Sequence, residues 1–119
     1  MVLAIVVSMK SEKLLDNLVK ELFFKFARIE YALKASGFHE GGEGGVRANW
    51  DSFAISVDGC IENSPASKEA AEYLTKNPPK KQILENGSLA WKIVPECLNR
   101  TQNILHCVRR VRNNLFHGG

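Results

Sequence analysis

Arg112 and His117 stand five residues apart in the run Arg112-Asn113-Asn114-Leu115-Phe116-His117. Arginine keeps its charge throughout the accessible pH range and forks onto phosphate oxygens through parallel N–H bonds. Histidine, with an unperturbed pKa of about 6.5, exchanges protons near neutrality. Together the two could take the proton of an RNA 2′-hydroxyl and neutralise the charge that builds on the adjacent phosphorus. The spacing sets a condition, because five residues on an unbroken helix turn through about 140° and place the side chains on different faces. They converge where the helix loosens before His117, as Gly118-Gly119 would allow, or where two subunits meet. The same residue types also complement the dipole of a helix C-terminus without doing any chemistry.

The surrounding charge is lopsided. From Lys80 to His117 there are seven Lys or Arg against two acids, Glu85 and Glu96, although the whole chain carries only +3. Such a stretch is either a solvated helix face or a surface that attracts a polyanion by phosphate contact and counterion release. Arg109 and Arg110 are the candidates for RNA contact. Glu30 is a secondary candidate that could reach the motif from the first helix. Asp51 is another, and solvent-facing or capping roles would suit both. His39 and His106 show no evident partner and read as surface histidines.

Metal and disulfide chemistry find little support. Cys60, Cys97 and Cys107 are odd in number, lack C-x-x-C spacing and have no nearby His pattern, so no metal site and no cofactor is expected. Free thiols fit a reducing cytosol. The apolar opening, residues 1–7, lacks a basic leader and a small-residue cleavage site and is too short to span a bilayer. A cytoplasmic protein with no membrane partner is the expectation.

The elements that must position the pair read as helices. Leu15, Leu18, Leu22, Phe26, Ile29 and Leu33 recur at steps of three and four, which predicts one helix from about Ser11, as N-cap, to Ser36. Gly37 stops it as a left-handed C′ residue, with Leu33 and Phe38 in the positions that touch in a Schellman cap. Gly41-Gly42-Glu43-Gly44-Gly45 has no Gly-Lys-Ser/Thr ending and reads as a flexible linker rather than a phosphate loop. Trp50 to Val57 fits a short helix capped by Asn49, although Phe53, Ile55 and Val57 also alternate as a strand would; Trp50 itself reads as a core aromatic. Ser64-Pro65 opens a third helix that stops before Asn77-Pro78-Pro79. A turn is signalled at Asn86-Gly87. The last element is expected to start near Ser88, break at Pro95 and run as helix from Glu96 to Phe116, with Ile104, Val108, Val111 and Leu115 as its stripe. No strand pair is evident, so the expected fold is all-α, a small antiparallel helical bundle filling a single domain, 1–119.

The run Arg112-Asn113-Asn114-Leu115-Phe116-His117-Gly118-Gly119 resembles the R-x-x-x-x-H motif of the HEPN domain superfamily. Phe26-Ala27-Arg28-Ile29-Glu30-Tyr31-Ala32-Leu33-Lys34, then Gly37-Phe38 and Trp50-Asp51-Ser52-Phe53-Ala54, are similar to blocks of a bacterial branch of it. The resemblance covers both ends of the chain well and residues 58–95 poorly. It implies an all-α bundle, commonly dimeric, that cleaves RNA without metal at a composite cleft and leaves a 2′,3′-cyclic phosphate. Arg112 would polarise the scissile phosphate, His117 would act as general base or acid, and Asn113 would orient the site. A toxin or defence ribonuclease held in check by an antitoxin or companion protein is the function implied. A non-catalytic HEPN-like module that binds RNA or protein is the alternative.

Two departures bear on this. Gly119 stands where one branch carries a modified tyrosine, so that mechanism is not transferred. The superfamily bundle usually continues into a further helix after the motif, so the chain reads as a fragment or as a form lacking that helix.

Overall fold

The computed structural model describes residues 2–96 and 99–116, with side chains from Lys13 onward. Four helices and four short strands follow one another. Helix α1 spans Val2–Ala35, β1 His39–Gly42, β2 Gly45–Ala48, α2 Trp50–Ser56 and α3 Pro65–Lys76. Strand β3 spans Lys81–Glu85, β4 Ser88–Lys92 and α4 Arg100–Phe116. Each strand pair is a separate antiparallel hairpin, β1 with β2 and β3 with β4.

The expectation of an all-α helical bundle is therefore wrong: the fold is mixed, with two β-hairpins among the helices. The glycine-rich segment expected to be a linker supplies the first. Glu40 faces Arg47 across it and Gly42 faces Gly45, with an Arg47 Nε–Glu40 Oε1 ion pair of 2.8 Å joining the strands. Gly41 takes φ +110°, and a Cβ there would run into the carbonyl oxygen of Gly45. Glycine is what lets these backbones approach, so the composition that suggested flexibility encodes a tight turn instead.

The second hairpin turns at Asn86 (φ +51°) and Gly87 (φ +79°), the two left-handed residues that a two-residue type I′ connection requires. The segment from Ser88 expected to begin the last helix is thus a strand, and the helix starts only at Arg100. Asn99 caps it by accepting from the Gln102 amide at 2.9 Å.

Other boundaries follow their signals. Phe38 N donates to Leu33 O (2.8 Å) and Gly37 N to Lys34 O (3.3 Å), the paired bonds of a Schellman cap. Asn49 and Ser64 cap α2 and α3 by accepting from Ser52 N and Ser67 N. At the other end of α1 the expectation fails. Val2 to Lys10 is already helical, so Ser11 lies inside the helix rather than at its cap. No proline or glycine interrupts residues 2–10, and nothing stops the helix from extending.

The core sits on the second half of α1. Phe26 and Leu33 pack with Ala48, Trp50, Ala54 and Leu105, and Phe38, Phe53, Ile61 and Val108 close over them. Trp50 is 5% exposed and stacks at a tilt on Phe26, ring centroids 5.0 Å apart. Of the rest of the expected α1 stripe, Leu22 is partly buried, whereas Leu15, Leu18 and Ile29 are exposed among the described residues, Leu15 and Leu18 by 58% and 53%.

Candidate active site

Helix α4 carries most of the candidate residues, and its two long faces look in different directions. Leu105, Val108 and Arg112, spaced three and four apart, lie toward α1 and the core. His106, Arg109, Arg110 and Asn113 line a concavity of about 450 Å³ beside β3, together with Lys81 and Gln82. Arg112 and Asn113, adjacent in sequence, therefore serve different sides, as the roughly 100° turn between neighbouring helical residues dictates.

Arg112 is held by α1. Its guanidinium carbon lies 4.5 Å from the centroid of the Phe26 ring, within cation–π range. Its Nη2 is 4.0 Å from Glu30 Oε1, and the side chain is 28% exposed. The other Glu30 oxygen accepts from Trp50 Nε1 at 3.2 Å. Glu30 thus reaches the Arg112 end of the motif while fixing the core indole. The Nε of Arg112 is buried and has no hydrogen-bond partner among the described residues. Phe23 and Phe116 meet edge to face, centroids 5.9 Å apart, and close a small pocket of about 210 Å³ over Ala27 and Arg112. His117 lies outside the described residues, as do Gly118, Gly119 and Cys97.

Two further groups sit on the other side of α4. Arg109 lies over Trp50, its guanidinium carbon 6.0 Å from the ring centroid. His106, read from sequence as a surface residue without partner, places Nε2 2.7 Å from Asp51 Oδ1. Gln102 Nε2 donates to the same oxygen at 2.9 Å. These bonds, the one from Gln102 foremost and the one from His106 next, hold the Asp51 carboxyl below the usual carboxylate range. Asp51 and His106 are 55 residues apart, and nothing in the sequence pairs them. The only sequence signal was Asp51 itself, adjacent to a core tryptophan.

Hydrogen bonds fasten these parts together. Arg110 Nη1 donates to the Pro79 carbonyl at 2.9 Å and Asn114 Nδ2 to the Lys80 carbonyl at 2.9 Å, tying the entry of β3 to α4. Thr101, buried, donates to Asp58 Oδ1 at 2.8 Å and accepts from the Gly59 amide at 3.3 Å. Among the described residues no cluster of three or more His, Cys, Asp or Glu is placed to hold a metal ion, and no helix is long and apolar enough to cross a membrane. Compared with models of protein families, with curated proteins and with solved structures, the chain matches none.

Proposed function

We propose that this protein is a metal-independent endoribonuclease, of the kind its likeness to HEPN domains implies, acting within a toxin or defence system. The observation that carries the reading is the setting of Arg112. Its guanidinium is oriented by Phe26 and Glu30, and the side chain keeps 28% exposure five residues before His117. A charged fork fixed before the substrate arrives costs little reorganisation when charge develops on a phosphate.

In the reaction the RNA 2′-oxygen attacks the adjacent phosphorus, forming one P–O bond as the P–O5′ bond breaks. One histidine takes the 2′-hydroxyl proton and another group returns a proton to the departing 5′-oxygen. The products are a 2′,3′-cyclic phosphate and a 5′-hydroxyl, and no water is consumed. Arg112 binds the scissile phosphate. A two-fold dimer supplies the second His117 and removes the need for both residues to lie on one helix face. Asn113, on the opposite side of α4, then acts on the strand rather than on the reacting phosphate. An antitoxin or companion protein would restrain the activity.

The same contacts favour a second reading. An arginine held in place by Phe26 and Glu30 also suits a helical module that binds RNA or protein without cutting. Incubation of end-labelled RNA with the protein in chelator, beside Arg112→Ala and His117→Ala, separates them. The expected result is cleavage by the wild type and losses of about 100-fold or more in both variants. Equal cleavage by all three would overturn the assignment, and binding with no cleavage would select the second reading.

A further inference from the structure

We propose that the groove between β3 and α4 binds a nucleotide unit, phosphate and base together, supplied by single-stranded RNA or by a free nucleotide. The proposal rests on the ribonuclease reading and names where its substrate is held, on the side of α4 away from Arg112.

The groove encloses about 450 Å³, within the range of small-molecule sites. Lys81 enters it from β3 and Arg109 and Arg110 from α4, and none of its described lining residues is acidic. Arg110 is already anchored by its bond to the Pro79 carbonyl, and Arg109 by its place over Trp50. Cations fixed in this way lose less freedom when a phosphate arrives. Gln82 and Asn113 add amide donors and acceptors suited to a base edge or a sugar hydroxyl.

An indole outside the lining shares the hairpin face of one lining residue, Gln82. Trp91 stands opposite Gln82 in the hairpin register, and residues directly opposite in an antiparallel pair share a face. Trp91 is 50% exposed, whereas Trp50 is spent in the core. A basic wall beside an open indole is the combination that holds unpaired bases and their phosphates.

The test uses His117→Ala protein, so that binding is read without cutting. A fluorescein-labelled oligouridylate of about ten nucleotides, the scale of a single-strand site, is followed by anisotropy at several salt concentrations. Unlabelled uridine monophosphate and inorganic phosphate serve as competitors. Lys81→Ala and Arg109→Ala are each expected to weaken binding roughly five- to tenfold and to lower the salt slope by about one. Trp91→Ala is expected to weaken it about tenfold. Displacement by uridine monophosphate assigns the groove to a free nucleotide, and resistance to it assigns the groove to a strand; both outcomes support the proposal.

Displacement by inorganic phosphate as effective as by the nucleotide overturns it, because the base then contributes nothing. Unchanged affinity in Trp91→Ala and in the charge-reversed Lys81→Glu, with the far-ultraviolet spectrum intact, also overturns it. A protein that binds but never cuts defeats the ribonuclease reading alone. One that cuts, with affinity insensitive to Lys81, defeats the groove alone.

Discussion

Glu30 illustrates how one partly buried side chain can matter through its weaker-looking contact. Its ion pair with Arg112 is long, 4.0 Å, and both partners are partly open to water, so the attraction is worth little, well under about 1 kcal/mol. Its other oxygen accepts from an indole that is almost fully buried. Leaving that N–H without an acceptor costs about 1–3 kcal/mol. Glu30→Ala should therefore lower unfolding stability by about that amount, while Glu30→Gln, which keeps an acceptor oxygen, should lose less than half as much. Urea midpoints of the two variants check this, and equal losses would show that charge rather than the indole bond governs the position. Arg112 and Glu30 could be singled out from residue type and motif. Their relation through Trp50 could not, because a contact spanning twenty residues leaves no local pattern. The pairing of Asp51 with His106 was hidden for the same reason.

At the scale of elements, helix ends were far more legible than strands. The Schellman glycine, Asn49 and Ser64 act through bonds between residues three to five positions apart, so their sequences carry the whole signal. The strands of the two hairpins are four and five residues long, too short for alternation to outweigh a helical reading. Asn86-Gly87 did announce a turn, but the apolar residues after it also fit a helix, and only pairing with Lys81–Glu85 decides between them.

Gly41 offers an experiment at this scale. A side chain there meets both an unfavourable φ and the Gly45 carbonyl, so Gly41→Ala should destabilise by at least about 1–3 kcal/mol. Gly44→Ala, with nothing within 4 Å of the added methyl, should stay within about 0.5 kcal/mol of the parent. Thermal melts of the pair provide the comparison. Similar midpoints would mean that the first hairpin is not formed in solution.

The whole molecule is long for its size. Helix α1 has 34 residues, about 51 Å at the usual rise, and the chain extends 54 × 42 × 30 Å. Its radius of gyration is 17.0 Å, against roughly 13.5 Å for a compact domain of this length. It exposes 9063 Å², where a folded monomer of its mass exposes roughly 6,500 Å². Leu14, Leu15 and Leu18 on α1, and Leu84, Leu89 and Ile93 on or beside the second hairpin, are part of that excess. The two-fold dimer proposed above makes a prediction here. Burial of surface by association stabilises the folded state by mass action, so the melting midpoint should rise by several degrees over a hundredfold increase in concentration. A midpoint independent of concentration would remove the dimer. Periodicity revealed the α1 stripe, but not that Leu15 and Leu18 stay exposed among the described residues, since exposure depends on where other elements end.

The bonds from Arg110 and Asn114 to the Pro79 and Lys80 carbonyls have a mechanical meaning beyond packing. They lie one helical turn apart and grip two successive peptide units, as two rivets hold a plate and prevent it from pivoting. The second hairpin is thereby splinted to the last turns of α4. Force applied to its tip is borne by the helix that carries Arg112, and slackening of that helix end releases the strand at its root.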